Sequence, residues 1–330
     1  MTVDLRSVVV SQTAWQLKRV RPRSHMRLQL HEFYFQAQKP CRSGAGAITV
    51  RQFQQYRYGM AMAFALGISL CQAAWAAAQD ADVAAAMAEL RTADQRLQQG
   101  QWQAAAEPAR RAAELAPQSP DILQRAAEVL YRSGLAAESL PLFERVVSLV
   151  PEEAAYNWQR GIALGTCGQF AAGAKQFETH HSVNPDDVEN SAWYFLCIAK
   201  SQGLAAARKT VIPSRGDGRQ PMMSILQMLQ ERLTPDEVLQ AAEENATAGA
   251  PRRRAQFYAA LYVGLYYDAL GDGPAAQRYL QQSLGYGDSG YMVDVARVYL
   301  AHRFPPPAKS QPAAAKSQPA AAKSQPAAGE

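Results

Sequence analysis

Tyr131-Arg-Ser-Gly134-Leu-Ala-Ala-Glu-Ser139-Leu-Pro-Leu-Phe143-Glu-Arg-Val-Val-Ser-Leu-Val-Pro151 reads as the end of one helix, a glycine turn, and a second helix closed by proline. It has echoes on both sides. Gly100, Gly134 and Gly168 stand at a fixed interval of 34 residues, and Pro117, Pro151 and Pro185 keep the same interval. Trp102 and Phe170 each follow their glycine by two residues, and Phe143 and Phe177 follow theirs by nine. A period of 34 fits stacked helix–turn–helix units, each burying its apolar face against its neighbours.

Each recurrent residue has a physical reason for its place. The glycines sit where a first helix stops and the chain reverses, which often needs a left-handed backbone. Ala105, Ser139 and Gly173 keep one position of the second helix small, where two backbones approach closely. Phe143 and Phe177 are expected to fill the space between helix pairs, while Ala109 replaces the aromatic in the first unit. The prolines end one unit and open the next, because proline cannot continue a helix interior. From Asp80 onward Ala, Leu, Gln, Glu and Arg dominate, all strong helix formers. Apolar residues recur three and four apart, as in Leu90, Ala93, Leu97 and in Leu123, Ala126, Ala127, Leu130. The expected fold class is therefore all-α.

The register breaks after the third unit. The next glycine, Gly203, comes one residue late, and residues 213–220 have the composition of a loop. A non-repeat helix is expected around Met222–Leu229. Another should open at Thr234-Pro235-Asp236-Glu237, a capping box with proline at the first helical position. Arg252–Leu284 resumes the hairpin pattern, with Gly264, Tyr267, Gly271 and Ala276 in repeat-like places, and Tyr291–His302 reads as a closing helix.

Composition separates the ends from the middle. The whole chain carries 34 Lys/Arg against 29 Asp/Glu, a net charge of +5. Residues 1–59 hold ten of those basic residues against Asp4 and Glu32, and the last 26 residues hold three lysines and one glutamate, so the middle is acidic by about five charges. The basic character thus lies mostly outside the expected fold. With no zinc-finger or RNA-recognition motif present, no nucleic-acid partner is expected. Residues 58–79 have no charged side chain; Arg51 and Arg57 precede them, and Ala74-Trp75-Ala76 and Ala76-Ala77-Ala78 fit a small-x-small cleavage rule. This order of basic, apolar and small residues is that of a secretory signal, with cleavage near Ala76–Gln79; a membrane anchor and a buried helix are the alternatives. The resulting division is 1–59 a basic leader, whose first 49 residues are either not made or disordered, 60–78 a signal or membrane segment, 79–304 the helical stack, and 305–330 a tail. That tail repeats Ala-Lys-Ser-Gln-Pro-Ala-Ala three times from Ala308 and has no residue able to build a core, so a disordered tether is expected.

The in-register glycines, aromatics and prolines of 84–185 resemble the tetratricopeptide repeat family, which implies a helical-hairpin solenoid that binds proteins or peptides. Trp158-Gln-Arg-Gly-Ile-Ala-Leu-Gly, Asn184-Pro-Asp-Asp, Trp193-Tyr-Phe-Leu and Leu265-Tyr266-Tyr267…Leu270-Gly271-Asp272 resemble, more narrowly, the NlpI-type periplasmic lipoproteins over about 120–300. That resemblance implies a dimeric envelope adaptor bringing a peptidoglycan hydrolase to a processing protease. One departure concerns Cys71: Leu70 precedes it where lipoprotein signals carry a small residue, so a lipid anchor is not expected and the product would be periplasmic or secreted.

The chain offers little chemistry. It has no G-x-S-x-G elbow, phosphate loop or H-E-x-x-H, and no cofactor or catalytic residue is expected. A rival enzyme reading would place a site in 204–250, where Asp217, Asp236 and Glu237 lie without a His or Cys. Adjacent His180 and His181 diverge on a helix and so do not suit one metal ion. Cys167 and Cys197 lie in first helices of neighbouring units and are expected to be buried thiols, a disulfide being the alternative. Trp158, Trp193, Tyr194 and Phe195 are expected to face inward. Asn157, Arg160 and Asn190 are the groove candidates, because first helices line the inner face of such stacks and these groups can pair with a peptide backbone or carboxylate.

Overall fold

In the computed structural model, residues 50–287 and 289–305 are described. The leader through residue 49 and the tail from 306 lie outside them, as do the expectations that fall there. The chain divides into two units, Met1–Phe64 and Ala65–Glu330. Of the first, only residues 50–64, the opening of a helix, are described; the account below concerns the second.

The described residues form thirteen α-helices and no strand. The first, α1, spans Val50–Gln98. The sequence changes character near residue 79, from apolar to charged, but the helix does not stop there. No proline or glycine intervenes, and Ala, Gln, Met and Leu favour helix on both sides of the change. Among the described residues no helix is long and apolar enough to cross a membrane.

Hairpins follow in order. The end of α1 pairs with α2 (Trp102–Leu115), α3 (Pro120–Arg132) with α4 (Ala136–Leu149), and α5 (Trp158–Thr166) with α6 (Phe170–His181). A 3-10 turn over Pro151–Ala155 leads into α5. Gly100, Gly134 and Gly168 adopt φ of +70°, +90° and +76°, a backbone region that L side chains rarely enter, so the interval of 34 marks the same strained corner three times. Behind the corners the small positions are closed. Ala105 and Ser139 have no exposed surface, and a Cβ on Gly173 would stand 2.9 Å from Cys197 Sγ. Phe143 and Phe177 are fully buried. Pro117 and Pro185 lie in inter-unit turns and Pro151 opens the 3-10 turn.

The fourth unit is shortened: α7 (Val188–Gln202) is full length, but α8 (Leu204–Lys209) has less than two turns before the 210–220 loop. Next come α9 (Met222–Leu229) and α10 (Pro235–Glu244), the latter opened by the Thr234/Glu237 capping box. A last hairpin, α11 (Ala250–Leu270) with α12 (Gly273–Tyr286), turns at Gly271 with φ +84°. The chain ends its described part in α13 (Tyr291–Arg303). The described residues thus form an all-α stack of helical hairpins with a divergent C-terminal portion.

Two apolar cores hold it together. Ala86, Leu90, Ala93 and Leu97 of α1 share the smaller one with Ala105, Ala109, Ile122 and Leu130. The larger runs from Tyr131 and Phe143 through Trp193 and Phe195 to Tyr262 and Tyr299. α13 packs on α12, its sequence neighbour, and also returns to α3 and α5, more than 120 residues earlier.

Candidate interaction face

The first helices α3, α5 and α7 present the surface on which the sequence places its groove candidates. Their polar atoms turn inward instead. Asn157 is 4% exposed; it caps α5 by accepting a hydrogen bond from the Arg160 backbone N–H (3.1 Å), and its amide donates to Gln124 Oε1 at 2.8 Å. Arg160 reaches α4 and α6, donating to Glu144 at 2.9 Å and to Gln176 Oε1 at 2.6 Å. Asn190 is 3% exposed and donates to the Phe177 carbonyl at 3.1 Å, while its Oδ1 is buried without a hydrogen-bond partner. In place of an open amide-lined groove, these three groups fasten neighbouring helices to one another. The reason is geometric: a short amide at a helix start meets its own backbone and the preceding helix before it meets a ligand.

The aromatics also face inward. Trp193 is buried, stacked on Phe177 with ring centroids 6.2 Å apart; Phe195 is buried against Tyr266 at 5.8 Å. Tyr194 packs, half-buried, on the same core, and Trp158 leaves its edge to Tyr291 of α13 at 5.2 Å.

What covers the face is α13. Tyr291 lies between Tyr131 (6.4 Å, stacked) and Trp158. One turn on, Asp294 accepts from Arg132 Nε at 2.8 Å and from Arg297 at 2.9 Å. The Arg297 guanidinium lies 4.2 Å from the Trp102 ring and Arg303 lies 5.4 Å from the Phe170 ring. Trp102 and Phe170 are equivalent positions of the repeat. Arg297 also donates to the Arg132 carbonyl at the C-terminal end of α3, which favours positive charge, and His302 Nε2 lies 3.1 Å from the Gly134 carbonyl. Tyr299 meets Trp193 edge-on at 5.4 Å. The far end of α13 is held at Asp268 of α11. That buried carboxylate accepts from Tyr299 Oη (2.5 Å) and Arg303 Nε (3.2 Å) and pairs with Lys200 Nζ (2.6 Å). Burial opposes its charge, but the hydrogen bonds from Arg303, Lys200 and Tyr299 outweigh burial and hold its pKa below the ordinary value. The sequence predicts α13 as an element without indicating its seat.

The carboxylates of the rival site serve the backbone. Asp217 accepts from the Val188 backbone N–H (3.3 Å) and binds Arg219 (2.6 Å), which also pairs with Asp187 (2.7 Å) and Glu189. Arg215 forks onto Asp186, so the 213–220 loop is clamped to the start of α7. Glu237 closes the capping box, and Asp236 lies in the first turn of α10. Among the described residues no group of His, Cys, Asp and Glu is arranged to hold a metal ion. Cys167 and Cys197 are free thiols; burial pushes both pKa values up, so neither is activated.

Glu189 stands apart. Its carboxylate accepts from the Tyr262 hydroxyl, and burial pushes its pKa up to about 7, Arg219 acting against the shift and Asp187 with it. Because the folded value exceeds the ordinary 4.5, the stability that protonation contributes is complete below pH 4.5 and lost as pH rises through 7. Relative to Glu189→Gln, the wild type will therefore lose thermal stability between about pH 5 and 8. Melting curves across that window test this, and a constant difference between the two proteins would contradict it.

Neither family models nor curated proteins give a match to the chain. Among solved structures it is similar to MamA 41-end from Desulfovibrio magneticus RS-1, with 14% identity over 61% of this chain and 94% of that one, at a TM-score of 0.37.

Proposed function

We propose that this chain is a non-catalytic scaffold whose hairpin stack binds other proteins. The observation that carries the reading is the use made of its polar groups. The carboxylates of the 204–250 region hold loops and helix starts, while the first-helix face holds a helix along aromatic slots and two ionic clusters. A surface of that kind recognises a folded segment and offers no set of free groups for bond chemistry.

The finer reading is an envelope adaptor bridging a peptidoglycan hydrolase and a processing protease, periplasmic or secreted after cleavage near Ala76–Gln79. Its support is the basic–apolar–small order of residues 51–78 and the resemblance of residues 120–300 to NlpI-type proteins. Crosslinked affinity capture from bacterial envelope extract, with the full chain as bait, tests both levels. Specific recovery of a wall hydrolase or a carboxy-terminal processing protease is expected. Recovery of secretion or assembly proteins alone would defeat the adaptor and leave a generic scaffold; no partner above a control bait would defeat both.

A further inference from the structure

We infer that the face beneath α13 is a helix-binding site and that α13 is its resident occupant, exchangeable for a partner helix of the same chemistry. This rests on the scaffold reading and adds the partner's form. That form is a helix with an aromatic residue at its start, an acid three positions on, and arginines six and twelve positions on, as in Tyr291, Asp294, Arg297 and Arg303.

Three observations support exchange. First, the seat is assembled from separate units as well as from the neighbouring hairpin: Trp102, Arg132, Trp158, Phe170 and Trp193 all meet α13, and Asp268 of α11 holds its far end. Two of those contacts place an arginine over the same position of two different repeats, so the register is read from the repeat itself. Second, seat and occupant are complementary in charge at both ends, with Arg132 opposite Asp294 and Asp268 opposite Arg303. An incoming helix must match this polarity, which fixes its direction. Third, the seating leaves Tyr291 Oη and Arg297 Nε buried without hydrogen-bond partners, and α13 is joined to α12 through a link containing Gly287 and Gly290, the latter at φ +130°. Unmet buried polar atoms weaken the resident's hold.

The test adds a fluorescein-labelled peptide of residues 289–305 to the full chain and reads anisotropy. In wild type the tethered α13 competes at high effective concentration. In Asp294→Ala the resident is weakened while the seat keeps its native residues. The peptide is expected to bind Asp294→Ala at least tenfold more tightly than wild type, and Arg303→Ala, weakened at the other end, should behave alike. Equal affinity for wild type and variants would place the peptide elsewhere and overturn the inference. So would absence of binding to variants of native helicity, or loss of helicity in both variants, since a helix the stack cannot do without is not exchangeable. None of these failures touches the scaffold reading, whose test is partner capture.

Discussion

Trp193→Ala will cost about 3–5 kcal/mol of stability, the range for truncating a buried tryptophan. The side chain is 1% exposed and sits where three elements meet: α7, which carries it, α6 through Phe177, and α13 through Tyr299. Removing it leaves a cavity between a repeat and the closing helix, and neither ring can follow without leaving its own neighbours. Denaturant unfolding followed by far-ultraviolet circular dichroism measures the loss. Trp75→Ala is the control: that residue is 67% exposed on α1 and should change stability by less than about 0.5 kcal/mol. Similar values for the two variants would contradict the packing described here.

Asp268→Ala will cost a comparable amount, about 3 kcal/mol, at the lower end of the range for breaking a buried ion pair. Asp268 is 3% exposed and is the common partner of Lys200, Arg303 and Tyr299. Without it two cations face each other across one site. They retain 19% and 28% side-chain exposure, so both regain part of their hydration, which places the expectation low in the range. Because its folded pKa is lowered, the carboxylate's contribution is present above its ordinary value and is lost as pH falls through the folded one. The deficit of the variant relative to wild type should therefore shrink in acid. Unfolding at pH 7 and below pH 3 checks both statements, and a deficit that grows in acid would contradict them.

The fold was legible where its causes are local. A glycine forced to positive φ, a proline closing a helix, a threonine–glutamate capping box and an apolar stripe each leave a mark within a few residues, and the interval of 34 repeats the glycine and proline marks. The continuity of α1 past residue 79 was less apparent, because a change from apolar to charged residues looks like a boundary although both halves favour helix. The face was harder to read. Asn157, Arg160 and Asn190 have the chemistry of peptide-binding groups, but the same atoms cap α5 and bond neighbouring helices, and composition does not separate the two uses. The seat of α13 left no periodic trace. Arg132 meets Asp294, Trp102 meets Arg297 and Trp193 meets Tyr299 across more than a hundred residues, outside the reach of any local pattern.

That return of α13 onto the first-helix face is the central claim, and a double-mutant cycle on Trp193→Ala and Tyr299→Ala tests it most directly. The two rings belong to α7 and α13 and meet edge-on at 5.4 Å. A favourable coupling of about 0.5–1.5 kcal/mol is predicted. Additive losses, with coupling below about 0.3 kcal/mol, would mean the two residues do not meet in solution and would contradict the account.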